Sequence, residues 1–171
     1  AVLFVADVIV IGLCLKTPGG TKSNQKPSAS QGNSNTPSPT DGTEVPTEET
    51  PQLVSTATVL STGDILMHGK VINSGKQDDG SYNFDSIFQY VKSYSQAADF
   101  SVANLETTLC GTDNGYAYAG NPKFNCPDAI VDSLKGAGFD MLLTANNHAD
   151  DTSLVGYKRT LNVVRGKGLD T

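Results

Sequence analysis

Hydrophobic and polar positions in the second half of the chain predict three strands, each followed by a helix. The strands are predicted where β-branched and apolar residues run together, and the helices where apolar residues recur every three or four positions. The predicted strands span residues 53–62, 99–105 and 139–145, the first with both faces buried. Strand and helix alternating in this way are typical of an α/β fold with a parallel or mixed sheet.

Three apolar stripes predict which faces of the helices are buried. The first helix is predicted to be capped by Asn83, the second to open at Pro127, and the third to be capped by Asp151 or Thr152. Glycines are expected to end the second and third helices. The stripes consist of Phe84, Ile87, Phe88, Val91 and Tyr94; of Ile130, Leu134 and Ala137; and of Leu154, Tyr157, Leu161 and Val164.

The first half of the chain has a different pattern. Residues 1–15 are apolar apart from Asp7, but they are fewer than the roughly 20 residues that a membrane-spanning helix needs. We interpret them as the remnant of a signal anchor or signal peptide, with a buried strand or a lipoprotein-type Cys14 as alternatives. Residues 16–52 are rich in Ser, Thr, Asn and Gly and contain six of the eight prolines, which predicts a disordered linker.

This organisation predicts a folded domain over residues 53–171, displayed outside a membrane on a flexible tether. A tether of this length would span about 30–35 Å on average. The chain opens inside an apolar run and ends directly after a predicted helix, so we expect it to be a fragment of a longer protein. The net charge is −6, and no cluster of Lys and Arg is interleaved with aromatic residues. A nucleic-acid partner is therefore not expected.

Cys110 and Cys126 flank a segment rich in Gly, Asn and Tyr, residues 110–126, which we call the excursion. Display outside the cell favours a disulfide between them, and two free thiols are the alternative. A bridge closing a loop of this size would stabilise the fold by about 3 kcal/mol. Neither cysteine has a second ligand two to four residues away, so the spacing does not suggest zinc.

Polar side chains follow each of the three predicted strands. They are Asp64 and His68 after the first, Asn104 and Glu106 after the second, and Asn146, Asn147 and His148 after the third. Because the carboxyl ends of parallel strands meet at one edge of a sheet, these side chains are expected to lie close together. Each alone could be an ordinary loop residue, but together they suit a divalent metal or hydrolytic site. Asp150 and Asp151 are expected to face solvent at the start of the last helix.

The motifs "GDILMH", "ANLETT" and "TANNHADD", in this order and spacing, resemble the CapA family of bacterial capsule synthesis and poly-gamma-glutamate biosynthesis proteins. The resemblance runs from about Thr58 to Thr171 and includes the excursion. That family is similar to the calcineurin-like metallophosphatases. The resemblance therefore implies a metallophosphatase-like αββα sandwich, of which this fragment would hold only the N-terminal β–α units.

The resemblance also assigns roles. Asp64 would be the first metal aspartate, Asn104 and Glu106 the region of the bridging ligand, and Asn147 with His148 the pair that binds metal and a substrate oxygen. The implied metal ligands are Asp64, Asn104, Glu106, Asn147 and His148. His148 and Asn147 are the implied catalytic residues, and the implied cofactor is a divalent Mn, Zn or Fe ion.

The sequence departs from the phosphatase pattern at several points. The signature Gly-Asn-His-Asp/Glu is replaced by Ala-Asn-Asn-His-Ala, so no acidic residue directly follows His148. The bridging Asp is replaced by Glu106, and His68 has no clear equivalent. The histidine motifs that complete the phosphatase centre are expected beyond Thr171.

The function implied by the resemblance is the synthesis, export or anchoring of the anionic polymer poly-gamma-glutamate by a membrane-tethered extracellular protein. Metal-assisted hydrolysis or transfer is the implied chemistry. The implied partners are the polymer, the membrane and other capsule synthesis proteins. The alternative is a non-catalytic scaffold or polymer-binding component of an export complex.

Overall fold

A computed structural model describes residues 9–15 and 55–171, and its centre is a four-stranded sheet. In the order in which they lie side by side, the strands are β1 (Ile9–Leu15), β2 (Ser55–Asp64), β3 (Phe100–Asn104) and β4 (Met141–Leu143). β3 pairs in parallel with both β2 and β4. The predicted α/β class and its parallel sheet are therefore confirmed.

Residues 55–171 also form four α-helices and one 3₁₀ helix, the last α-helix following β4. They are α1 (Gly69–Ser74), the 3₁₀ helix (Asp85–Phe88), α2 (Lys92–Ala97), α3 (Ala129–Ala137) and α4 (Ser153–Gly166). α1 is not predicted by the sequence pattern, and the 3₁₀ helix and α2 are separate elements where that pattern predicts one helix. The residue at the N-cap of the 3₁₀ helix is Phe84 and not the predicted Asn83, although Asn83 Oδ1 accepts the backbone N–H of Asp85 at 2.8 Å. Tyr94, placed on the buried stripe, is 63% exposed because the helix is broken before it.

The predicted face of α3 is the one that the structure buries. Ile130, Leu134 and Ala137 are all buried, and α3 packs against the 3₁₀ helix and α2. Gly138 ends the helix with φ of 96°, a left-handed conformation that favours glycine. α2 in turn contacts β3, so these helices cover one face of the sheet.

The buried face of α4 differs from the predicted one. Leu154, which opens the predicted stripe, is 62% exposed. The residues that α4 buries are Gly156, Thr160 and Val164. The hydroxyl of Thr160 accepts the Leu109 backbone N–H at 2.8 Å and donates to the Gly156 carbonyl at 2.8 Å. α4 therefore contacts the segment after β3 through a hydroxyl whose hydrogen bonds are satisfied. A search for apolar periodicity does not detect such a contact.

The prediction that both faces of β2 are buried is wrong. Leu60 is its only buried residue. β3 pairs with β2 only from Val59 onward, so the residues of β2 before it extend past β3 and are exposed.

The predicted anchor and linker fall mostly outside the described residues. Residues 1–8 and 16–54 are not described, and residues 9–15 form β1. Within residues 9–15 and 55–171, no helix combines the length and the apolarity needed to cross a bilayer. The anchor and the linker remain predictions.

Gly156→Ala is expected to destabilise the fold, because an added Cβ would overlap the Thr152 side chain and come within 3.2 Å of the Cys110 Cβ. Overpacking of this kind lowers the free energy of unfolding by about 1–3 kcal/mol. Gly166→Ala, on the same helix and with no atom within 4 Å of the added Cβ, is the matched control. Urea unfolding of the two variants measures the difference, and equal midpoints would contradict the close packing at Gly156.

Candidate functional site

The parallel register brings the ends of three strands to one edge of the sheet. Asp64 pairs with Asn104, and Asn104 pairs with Leu143. Backbone hydrogen bonds continue beyond the strands, from Ile65 N–H to the Asn104 carbonyl at 2.7 Å and from Leu105 N–H to the Leu143 carbonyl at 2.8 Å. The side chains that follow these strands therefore share one edge, as the sequence predicted.

Hydrogen bonds join these side chains into a chain that we call the strand-end network, formed by Asp64, Asn104, Asn146, His148 and Asp151. Asn104 Nδ2 donates to Asp64 Oδ1 at 2.8 Å, and Asn146 Nδ2 donates to Asn104 Oδ1 at 3.0 Å. Asn146 Nδ2 also donates to the Leu105 carbonyl, and Asn146 Oδ1 accepts the His148 backbone N–H, both at 3.0 Å. Asn146 thereby fixes the loop after β4 against the end of β3.

His148 is held by Asp151 at the far end of the network. Its Nδ1 lies 2.8 Å from Asp151 Oδ2, and the two side chains are 20% and 11% exposed. The Phe124 backbone N–H donates to the same carboxylate oxygen at 2.6 Å. The expectation that Asp151 faces solvent is therefore wrong. The turn before α4 places a carboxylate three residues after His148 under the imidazole, and this spacing is the signal that could have identified it.

Glu106 lies beside Asp64 at the other end of the network. Burial, together with the neighbouring Asp64 carboxylate, raises the pKa of Glu106, while His148 acts in the opposite direction. The Glu106 backbone N–H donates to the Ile65 carbonyl at 3.2 Å, which ties the loop after β3 to the loop after β2. Two carboxyl groups are thus concentrated at one point of the sheet edge.

Asn147 and His68 lie at the margin of the site. Asn147 is exposed, and the asparagine that bonds to Asn104 and to the His148 backbone is Asn146. His68 is exposed, and its ring contacts Phe124 edge-on with centroids 5.2 Å apart. Phe124 contacts the His148 ring in the same manner at 4.6 Å. One buried aromatic ring therefore lies against both imidazoles.

The donor atoms fit part of a divalent metal site. The Asp64 and Glu106 carboxylates would supply two oxygen ligands to a cation, which their mutual repulsion would favour. Asn104 Oδ1 is already hydrogen-bonded to Asn146. Across residues 55–171, no group of three or more His, Cys, Asp or Glu is arranged to hold a metal ion. A closed site with four such ligands is therefore not present in the described part of the chain.

The predicted disulfide between Cys110 and Cys126 is not formed in the structure, where both are free, buried thiols. Hydrogen bonds close the excursion instead. Asn125, which is 1% exposed, accepts the Cys110 backbone N–H at 2.8 Å through Oδ1. Its Nδ2 donates to the carbonyls of Gly111 and Ala117 at 2.9 and 3.0 Å. A buried asparagine in this position satisfies the backbone groups that cross the neck of the excursion.

The fold and the site together define a class of protein. Three parallel strands, with carboxylate, amide and imidazole groups joined at their carboxyl ends, form part of a metallophosphatase-like α/β domain. The family described as "Bacterial capsule synthesis protein PGA_cap" matches residues 58–171, which is two thirds of the chain. The chain belongs to this bacterial capsule synthesis family, and the family resemblance predicted from the motifs is confirmed.

Two curated relatives carry names that agree with this assignment. The chain is 34% identical over 86 residues to the "PGA biosynthesis protein CapA" of Bacillus subtilis (strain 168), covering 50% of this chain and 23% of the relative. It is 31% identical over 91 residues to the "Capsule biosynthesis protein CapA" of Bacillus anthracis, covering 52% of this chain and 22% of the relative. The matched part therefore spans less than a quarter of each relative.

Asn146→Ala is expected to lower the free energy of unfolding by about 1–3 kcal/mol, because it removes the hydrogen bonds to Asn104, Leu105 and His148. Asn147→Ala is the matched control, since its exposed side chain should change stability by less than about 0.5 kcal/mol. Chemical denaturation of both variants measures the difference. A larger loss for Asn147→Ala would contradict the assignment of Asn146 to the network.

Cys110 and Cys126 are expected to resist alkylation in the folded protein and to react only after unfolding. Burial, with the nearby Asp128 charge as a smaller cause, raises the pKa of the Cys126 thiol well above its ordinary value, so little reactive thiolate forms. Iodoacetamide labelling with peptide mass spectrometry, in denaturant without a reductant, should find both residues alkylated. A linked peptide pair that is alkylated only after reduction would contradict the free thiols.

Proposed function

We propose that this chain acts in the synthesis, export or anchoring of poly-gamma-glutamate, as a membrane-tethered domain outside the cell whose strand-end network performs metal-assisted hydrolysis or transfer. The observation that carries the proposal is the network itself. It joins Asp64, Asn104 and His148, three of the residues assigned by the family resemblance, through hydrogen bonds of 2.8–3.0 Å. The relative from Bacillus subtilis is named for PGA biosynthesis and the relative from Bacillus anthracis for capsule biosynthesis, which supports the proposed process.

Charge supports a cation at this site. The acidic chain and the acidic polymer would repel one another, and Asp64 with Glu106 adds negative charge where the polymer would react. A divalent Mn, Zn or Fe ion held by these two carboxylates would offset that repulsion. When bound, such an ion would lower the pKa of a coordinated water and polarise the carbonyl or phosphoryl oxygen of the substrate.

The protein groups would supply orientation and proton control. Asp64 and Glu106 would hold the cation, and the Asn104 amide would hold the Asp64 carboxylate in place through its 2.8 Å hydrogen bond. Nε2 of His148 would take up a proton from the attacking nucleophile and then donate it to the oxyanion that develops on the substrate or leaving group. Amide chemistry fits a polyglutamate better than phosphate chemistry does, because the bonds that link its residues are amides.

The tether follows from the N-terminal pattern. An apolar segment followed by a Ser/Thr/Pro-rich linker is typical of a domain held at a membrane surface, and a linker of about 35 residues allows it to search about 30 Å of polymer. The partners proposed on this basis are the growing polymer, the membrane and other capsule synthesis proteins.

A second candidate is a non-catalytic scaffold or polymer-binding component of an export complex. One observation favours it: within residues 55–171, no three His, Cys, Asp or Glu side chains are grouped to hold a metal. The amides of Asn104 and Asn146 are also hydrogen-bonded to neighbouring protein groups. A network of this kind can serve to fix three loops without taking part in chemistry.

The two candidates differ in what happens when Asp64→Asn or His148→Asn is introduced. The catalytic proposal expects loss of calorimetric Mn or Zn binding in Asp64→Asn, and a roughly 100-fold or larger loss of poly-gamma-glutamate cleavage or transfer in both variants. The melting temperature should fall by less than about 8 °C, which separates loss of function from unfolding.

Asp150→Asn is the matched control for this experiment, because Asp150 is exposed near His148 and its substitution removes one carboxylate charge, as Asp64→Asn does. It should retain metal binding and turnover. Unchanged turnover in Asp64→Asn and His148→Asn would refute the catalytic proposal. Capsule display in cells that survives both substitutions would then support the scaffold.

A further inference from the structure

We propose that Asp151 and Phe124 are positioning residues that hold His148 as the Nδ1–H tautomer and leave Nε2 as the nitrogen that acts on the substrate. The inference rests on the proposed function for what Nε2 acts upon, whereas the tautomer and its cause follow from the contacts of these three residues. Phe124 belongs to the excursion, so this segment becomes part of the site.

The hydrogen bonds around Asp151 determine the tautomer. Oδ2 of Asp151 lies 2.8 Å from His148 Nδ1 and 2.6 Å from the Phe124 backbone nitrogen. A carboxylate only accepts hydrogen bonds, so both nitrogens must donate to it. His148 Nδ1 therefore carries a proton, and in the neutral imidazole the lone pair is on Nε2.

Phe124 fixes both partners of this pair. Its backbone N–H holds the carboxylate oxygen, and its ring, 2% exposed, lies edge-on to the His148 ring at 4.6 Å. The imidazole is thus restrained by a hydrogen bond at Nδ1 and by packing against an aromatic ring. A group held in this way needs little reorganisation when it acts.

The position of Phe124 is set by the base of the excursion. The Thr108 hydroxyl donates to the Phe124 carbonyl at 2.7 Å, and the Thr152 hydroxyl donates to Thr108 Oγ1 at 2.8 Å. All three residues are buried. These bonds connect the segment after β3, the excursion and the start of α4, and Phe124 is the point at which that connection meets His148.

Nitrogen-detected NMR of the histidine rings tests the proposal directly. The chain contains two histidines, His68 and His148, so His68→Gln assigns every signal. Neutral His148 is expected to show a protonated Nδ1 and an unprotonated Nε2. Asp151→Asn should shift His148 toward the Nε2–H tautomer, because an amide oxygen is a weaker acceptor for Nδ1–H than a carboxylate. Asp150→Asn, the adjacent exposed control, should leave the wild-type tautomer.

Phe124→Leu tests the contribution of the Phe124 ring separately from that of its backbone hydrogen bond to Asp151. It keeps the N–H donor, so His148 should remain the Nδ1–H tautomer, but its ring signals should broaden or double as the packing restraint is lost. Phe84→Leu is the control, since Phe84 is equally buried but stacks on Tyr82 instead. A wild-type Nε2–H tautomer, or identical spectra for Asp151→Asn and Asp150→Asn, would overturn the proposal. Unchanged His148 signals in Phe124→Leu would remove Phe124 from it.

Turnover distinguishes this inference from the proposed function. With poly-gamma-glutamate as substrate, Asp151→Asn should lower kcat by at least about tenfold and leave KM nearly unchanged, because the imidazole is misoriented while the polymer still binds. If the expected tautomers are observed and the wild-type protein shows no turnover, the positioning role stands and the catalytic proposal fails. An Asp151→Asn variant with wild-type kcat would show that the tautomer does not control the reaction.

Discussion

The candidate site depends on the parallel pairing of β3 with both of its neighbours. A strand paired in parallel on both sides brings three carboxyl ends to the same edge, and the backbone bonds of Ile65 and Leu105 extend that alignment into the loops. Asn104, the last residue of β3, can therefore donate to Asp64 on one side and accept from Asn146 on the other. An antiparallel neighbour would have placed one of these polar ends at the opposite edge of the sheet.

The excursion is held against this edge by polar contacts in place of a disulfide. Asn125 closes its neck, and Arg159 of α4 binds Asp128, just beyond that neck, through both carboxylate oxygens at 2.7 and 2.8 Å. The Gly120 backbone approaches His68 so closely that a Cβ there would lie 2.9 Å from the His68 Cα. The excursion thus contacts the loop after β2 and, through Phe124, the loop after β4. These contacts hold the excursion beside the site, although it is long and irregular and no disulfide closes it in the structure.

The sequence predicted the parts of the fold that depend on apolar runs and strand ends. It located β2, β3 and β4, the buried face of α3, and the edge where Asp64, Asn104 and His148 meet. It did not predict contacts between side chains that only the tertiary fold brings together. Apart from Val164, which is on the predicted stripe, the buried face of α4 consists of a glycine and a satisfied threonine hydroxyl, which apolar periodicity does not reveal. Asp151 looked like an ordinary residue at the start of a helix, and its role arises only because the turn before α4 brings it under His148.

The hydrogen bonds of the strand-end network determine which of its polar groups remain available for chemistry. The amides of Asn104 and Asn146 are hydrogen-bonded to one another, to Asp64 and to the backbone. Their effect is therefore to fix the positions of the loops after the strands. Asp151 Oδ2 likewise accepts hydrogen bonds from His148 Nδ1 and from the Phe124 backbone N–H. Glu106, whose pKa is raised by burial and by the neighbouring Asp64, and Nε2 of His148 take no part in these bonds. An acid beside Asp64 and an imidazole nitrogen whose ring is held by Asp151 would suit the cation binding and proton transfer of the proposed function.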